Sequence, residues 1–409
     1  MISLMLTVAV VLALIASAVW FGYTRALAMR WRRLRYQRSL FTGARQETHF
    51  VQQDRYYPVN RMDPGTQVVR LRPADPQTLP TGFEYGGAER QTQAFLDQSD
   101  TAALLVLHRG RTVHESYALT GGPDVAWLTH SVSKTVVGTA VGLAVGDGLV
   151  PDLEAPISRY VPLLERGGYR AVPVRSVLQM SSGIRWTEDY SDPASDLNQF
   201  GRTLFSGASY DDFVAARVAE RPPDTRHNYT GMDAQALTML VRAVTGTSLA
   251  QYLSERLWRP LGMQDPAYWT TDDRGVELGL GGLCASARDL AKLGELYRAG
   301  GQWQGQTLLD PGWIKQATTV QAPHLRRGPR DESRYTMGYG YQWWLPDGDD
   351  QDYTAIGIYN QFVYVNPAAE IVIVKLSAHR DYANPAAEEA YLELPTIALF
   401  RQIATCVAS

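Results

Sequence analysis

The 409-residue chain is long enough to bury a sizeable core, and 45% hydrophobic against 20% charged residues excludes wholesale disorder. Its two cysteines, Cys284 and Cys406, lie far apart with no metal-ligand spacing around them, which argues against a disulfide framework and a zinc–cysteine site. The net charge of −3 hides an asymmetry: residues 1–40 hold six arginines (Arg25, Arg30, Arg32, Arg33, Arg35, Arg38) and no acid, so the rest carries 33 basic against 42 acidic residues, and this −9 body argues against a nucleic-acid partner.

In chain order, residues 2–23 come first. They contain no charge and are long enough to cross a bilayer core of roughly 30 Å. Trp20, Phe21 and Tyr23 stand where an interfacial aromatic belt would. Residues 1–24 therefore read as a single-pass transmembrane anchor in a cell membrane, with the arginines just beyond it. A cleaved signal peptide is the competing reading, with Ala16-Ser17-Ala18 as its cleavage site. Residues 25–84 read as a basic juxtamembrane segment and an extension in which Pro58, Pro64, Pro73, Pro76 and Pro80 stop long helices.

From residue 85 the pattern is that of one large domain, 85–409. Residues 88–99 read as a helix. Apolar runs at 103–108 and 112–118 around Arg109-Gly110-Arg111 predict a hairpin. The middle carries helical spacing at 134–146, 234–245, 249–257 and 287–299, with Ser286 as an N-cap. Strand patterns return at 339–345, 353–359, 362–365 and 371–376, and 386–404 closes the chain as a helix. The expected fold is α/β of the α+β type. One antiparallel sheet is built from both ends of the domain and flanked by helices, a mostly helical part is inserted, and the active site lies in the cleft between them.

The chemistry centres on Ser131-Val132-Ser133-Lys134. A helix starting near Ser131 puts Lys134 on the same face, three residues on. A serine hydroxyl needs a neighbouring base, and a desolvated lysine serves as one. The N–H groups at a helix start favour an oxyanion. Lys134 is one of four lysines and stands alone among them in following a serine by three. The competing reading is that Ser131 merely caps the helix. A Ser-His-Asp arrangement through His227 stays open, and His130 reads as packing. Gly-x-Ser-x-Gly and His-Glu-x-x-His are absent, which removes the usual α/β-hydrolase and zinc-peptidase signatures.

With Tyr229-Thr230-Gly231 downstream and Ala355-Ile356-Gly357 on a late strand, this pattern resembles the serine β-lactamase and penicillin-binding-protein superfamily, of the class C-like kind. That resemblance implies Tyr229 as the proton-sharing tyrosine and the N–H groups of Ser131 and Ile358 as the oxyanion hole. Gly231 and Ala355 depart from the pattern by removing a polar side chain and the lysine that helps hold a penicillin carboxylate. The loop Trp186-Thr187-Glu188-Asp189-Tyr190, with Asp192-Pro193 after it, is similar to that of the 6-aminohexanoate-dimer hydrolases and their β-lactamase-like esterase kin. Across residues 85–405 this likeness also takes in Leu178–Gly183, Pro260–Met263, Gly281-Gly282 and Gly338–Trp344. It implies substrate contacts at Tyr190, Asp189, Trp186, Gly357, Tyr359 and Asn360. Trp186, Trp343, Trp344 and Tyr359 are candidates for an apolar cleft lining, with core packing as the alternative.

The reading is a serine hydrolase that cleaves small linear amides or esters through an acyl-enzyme on Ser131, with no metal or cofactor required. The alternative is a membrane-anchored penicillin sensor or D,D-peptidase-type protein with little turnover. The arginines after the span would hold that end in the cytoplasm, whereas the enzymes it resembles usually work outside, so the sequence assigns no side.

Overall fold

The computed structural model describes residues 2–40, 46–189, 192–329, 336–382, 384, 387 and 389–408. Its largest sheet has eight strands, in the order Gly338–Tyr339, Trp344–Leu345, Tyr353–Gly357, Gln361–Asn366, Ile371–Ser377, Thr101–His108, Arg111–Tyr117 and Arg72–Pro73. Neighbours are antiparallel except the last pair, which is parallel. The sheet is thus joined across its middle by a late strand, Ile371–Ser377, lying on an early one, Thr101–His108. The expected sheet from both ends of the domain is present, but it is mixed, because its parallel edge strand, Arg72–Pro73, comes from the extension before residue 85.

Alternation along these strands sends side chains to two apolar layers. Leu105, Leu107, Val363, Val365, Val372 and Val374 face the helices Val132–Gly146 and Ala287–Arg298. Leu104, Val106, Tyr364 and Ile373 face Ile397, Phe400 and Ile403 of the closing helix Glu393–Ala408. The helix Val132–Gly146 is buried on every side from Val132 to Ala144, as expected of a central core helix.

A second sheet, in the order Val59–Met62, Ala267–Thr270, Leu283–Ala285 and Trp127–Leu128, sets the turn before that helix beside the glycine-rich segment at 279–282. The extension before residue 85 is therefore tied into the body by Val59–Met62, not loose.

Several boundaries differ from expectation. The proposed helix at 88–99 begins as a strand, Ala88–Gln91, hairpin-paired with Gly82–Tyr85, and only Thr92–Gln98 is helical. Gly86 and Gly87, with φ of 64° and 78°, make the turn that forces this. The strand at 339–345 is two short strands around a turn in which Gln342 has φ 62°. The described closing helix runs Glu393–Ala408, later than 386–404.

The N-terminal helix runs unbroken over Ile2–Leu40, so the basic residues extend the apolar helix instead of following it as an irregular segment. Within it Val10–Tyr36 is long and apolar enough to cross a membrane, and the side chains of residues 10–23 are exposed. Its last turns dock on the body. Arg33 Nη1 reaches Asp273 Oδ1 at 2.8 Å, and its Nε donates to Tyr56 O at 2.9 Å. The buried Tyr36 ring stacks on Tyr56 with centroids 3.8 Å apart.

Candidate active site

Ser131 is the residue just before the helix Val132–Gly146, and its side chain makes no capping hydrogen bond. The competing role as a helix cap is therefore not taken. Its Oγ lies 2.7 Å from Lys134 Nζ, which also donates to Leu280 O at 2.8 Å. Lys134 is buried, and burial lowers its pKa to about 8, with the carboxylate of Glu188 pulling the other way. A neutral amine at this spot keeps an N–H for Leu280 O and turns its lone pair to the Ser131 hydroxyl.

The turn carrying Ser131 is held on both sides. Thr129 N donates to Leu283 O at 2.9 Å, and Leu283 N donates back to Ser133 Oγ at 3.0 Å. His130 takes φ 48°, a left-handed conformation unusual for a residue with a Cβ. Its ring is buried between Phe50 and Tyr359, and burial, then the charge of Lys134, pushes its pKa down to about 3. It is a neutral packing group. The strand Tyr353–Gly357 ends against the same turn: a Cβ on Gly357 would stand 2.4 Å from Thr129 O. Gly357 is thus needed for the close approach of the chain's own backbone, a different reason from the substrate contact expected of it, and it brings the strand end beside the turn that leads to Ser131.

Tyr229 turns its ring to the lysine, with Lys134 Nζ 4.9 Å from its centroid. Trp344 stacks behind it at 5.1 Å and 29°, and Tyr339 meets it edge-on at 6.3 Å. Thr230 caps the helix Gly231–Thr245 by accepting from Met232 N, which fixes where Tyr229 leaves the backbone. His227 packs on Tyr339 at 4.7 Å, and Ser131 Oγ accepts from Lys134 Nζ. At Gly231 a Cβ would meet the Leu280 side chain at 3.4 Å, so leucine lies where the superfamily pattern puts a polar group. Below, Asp233 is fully buried and accepts from Tyr169 OH at 2.7 Å; desolvation raises its pKa to about 7 against the hydrogen bonds of Ser182 and Tyr169.

The expected substrate contacts scatter. Trp186 is buried and donates from Nε1 to Glu188 Oε2 at 2.8 Å. Asp189 is exposed and accepts from Asp192 N at 3.3 Å. Tyr359 is enclosed by Phe50, His130 and Tyr382, and Asn360 is buried with Oδ1 accepting from Thr396 of the closing helix. Trp343 and Trp344 are core residues. Tyr190 lies outside the described residues. Three contributors escaped sequence reasoning. Leu280 acts through a backbone carbonyl, and its only signal is the glycine-rich run Gly279-Leu280-Gly281-Gly282. Glu188 was in view as part of a loop, not as a charge facing Lys134. Phe50 carried no signal.

A family model described as Beta-lactamase matches residues 88–396. The chain is 32% identical over 296 residues to the 6-aminohexanoate-dimer hydrolase of Paenarthrobacter ureafaciens, covering 70% of this chain and 74% of that protein. A candidate 6-aminohexanoate-dimer hydrolase of known structure from Bacillus anthracis superposes with a TM-score of 0.78 at 23% identity, over 90% of this chain and 95% of that one. The structure of EstCE1, a hydrolase with promiscuous acyltransferase activity, gives 0.59 at 17% identity, over 78% and 96%. At these identities the two structures speak for the fold alone. The family match and the curated relative go further: the chain belongs to the beta-lactamase family and is a serine hydrolase of the amidase or esterase kind.

Proposed function

We propose that the protein hydrolyses small linear amides or esters through an acyl-enzyme on Ser131. The observation that carries this is the 2.7 Å contact of Ser131 Oγ with a buried lysine whose pKa is lowered to about 8. Lys134 Nζ takes the hydroxyl proton as Ser131 Oγ attacks the carbonyl carbon. The N–H groups of Ser131 and Ile358 hold the oxyanion. The proton passes by way of Tyr229 to the leaving amine or alcohol as its bond to the acyl carbon breaks. Water, giving up a proton to the same Lys134–Tyr229 pair, then attacks the acyl carbon, and that proton passes to Ser131 Oγ as its bond to the acyl carbon breaks, releasing the acid and the free hydroxyl. Glu188 tunes Lys134 by charge.

The curated relative is named for a linear amide dimer, which favours a linear amide or ester here. Alanine at 355 lacks the lysine that helps hold a penicillin carboxylate, and glycine at 231, with the Leu280 side chain beside it, lacks the polar side chain of the superfamily pattern, which weighs against a penicillin sensor. Residues 1–24 serve as a membrane anchor, 25–84 join it to the body, and 85–409 form the catalytic domain.

The test offers a short p-nitrophenyl ester, a 6-aminohexanoate dimer and a chromogenic cephalosporin to the full-length protein and to Ser131→Ala. Sustained ester or amide turnover that disappears in the variant is expected. A stable cephalosporin adduct without turnover would replace the hydrolase with the sensor reading.

A further inference from the structure

The segment between the N-terminal helix and the domain contributes one side chain to the heart of the molecule. Phe50 ends the short helix Gln46–Phe50 and is 0% exposed. Its ring touches three aromatic neighbours: His130 at 4.8 Å and 76°, Tyr359 at 5.3 Å and 56°, and Trp127 at 5.6 Å and 86°. His130 immediately precedes Ser131, and Tyr359 immediately follows Ile358. Phe50 is thus wedged between the two chain segments that carry the oxyanion donors. Trp127 ties the same cluster to the second segment, since its Nε1 donates to Gln361 Oε1 at 3.0 Å.

Both segments are strained where the wedge meets them. His130 has φ 48° and Tyr359 φ 63°, left-handed conformations that persist in non-glycine residues only where the surroundings hold them. The two rings also meet each other, at 5.1 Å. Removing the Phe50 ring would leave a void at the point where both turns are braced, and a void in a close-packed interior is filled by shifts of its lining.

We propose that Phe50 is a positioning residue that sets the spacing of the two oxyanion N–H donors, so that the segment joining the N-terminal helix to the domain is part of the catalytic frame. The proposal rests on the assignment of the oxyanion hole to Ser131 and Ile358.

The test uses the full-length protein in detergent and compares Phe50→Ala, Phe50→Leu and Phe400→Leu with the wild type. Phe400 is an equally buried ring on the far side of the sheet, packed on Phe362 at 5.4 Å, and controls for lost core volume. Displaced oxyanion donors lower kcat with little change in KM, because the interaction exists chiefly in the transition state. Phe50→Ala is expected to lower kcat for a p-nitrophenyl ester about tenfold or more, since loss of one oxyanion donor costs about 10²–10³. KM should stay within about threefold, the pH of the rising limb should not move, and Phe50→Leu should recover most of the loss. Phe400→Leu should lower Tm and leave kcat alone. A folded Phe50→Ala with wild-type kcat overturns the proposal, as does an equal kcat loss in Phe400→Leu. If Phe50→Ala does not fold, Phe50→Val, which also leaves most of the ring's volume empty, decides: kcat lowered at constant KM supports the proposal, and wild-type kcat overturns it. Phosphonate labelling of wild-type Ser131 in the same series separates the two levels. Labelled Ser131 with an indifferent Phe50 removes only this inference, whereas unlabelled Ser131 removes the oxyanion assignment and this inference with it.

Discussion

Among the described residues, two buried lysines each donate to a serine hydroxyl. Lys134 Nζ donates to Ser131 Oγ in the cleft, and Lys375 Nζ donates to Ser377 Oγ on the strand Ile371–Ser377. Both lysines are almost wholly buried, and burial lowers the pKa of both, Lys375 despite the opposing charge of Asp100. Each lysine thus has a serine hydroxyl as a partner and a proton affinity lowered by burial. The pairs differ in what surrounds the hydroxyl. Ser131 is half-buried at the start of a helix, and its lysine faces the Tyr229 ring. Ser377 is fully buried, and its backbone is spent: its N–H goes to Gln361 Oε1 at 3.0 Å, and its carbonyl accepts from Gln361 Nε2 at 2.6 Å. A depressed lysine beside a serine is therefore a polar core contact in one place and the base of a candidate nucleophile in the other, and access to the hydroxyl makes the difference.

The largest effects should separate the pairs. Ser131→Ala should remove turnover by about 10³-fold or more, and Lys134→Ala by about 10²-fold or more, with the fold retained by circular dichroism. Ser377→Ala and Lys375→Met should keep kcat/KM within about threefold, because neither group touches a reacting atom. Lys375→Met should also hold or raise Tm, since it removes a buried amine that no carboxylate neutralises within ion-pair distance among the described residues. A Lys375→Met protein that folds but is inactive would break the comparison.

A medium effect concerns pH. Below its pKa Lys134 is an ammonium and accepts no proton, so kcat/KM should rise as pH climbs through about 8. Glu188 favours the charged form, so Glu188→Gln should lower the lysine pKa and move this limb to lower pH. A limb that stays put in Glu188→Gln would remove Glu188 from the account.

The smallest effect is on stability. Burial raises the Asp233 pKa to about 7, so the folded chain holds that proton more tightly than the unfolded one. The stability linked to this group is full below the ordinary carboxylate range and is lost as pH rises through about 7. Asp233→Asn keeps an oxygen for Tyr169 OH and should flatten the fall of Tm between acid and neutral pH. An unchanged Tm–pH slope would contradict the assignment.

Much of this was legible in the sequence because it rests on local pattern. The hairpin around Arg109-Gly110-Arg111, the late strands and the Ser131–Lys134 step each follow from spacing along one segment. The missed parts arise from contacts between distant segments. Leu280 enters through a carbonyl, which no side-chain motif records. Phe50 lies 80 residues before His130 and in sequence is one more apolar residue of an extension. The resemblance implies substrate contacts at Tyr359 and Asn360, but Phe50 and the closing helix cover them. The strand pattern at 339–345 is broken because a Cβ at Gly340 would stand 1.9 Å from Ala317 O, a packing demand set by a helix elsewhere in the chain.

The most direct test of the central claim is covalent. The full-length protein would be treated with an active-site serine phosphonate, digested and mapped by mass spectrometry. The account predicts one adduct, on Ser131, absent from Ser131→Ala, with Ser377 unmodified. An adduct on another serine, or none on Ser131, would contradict it.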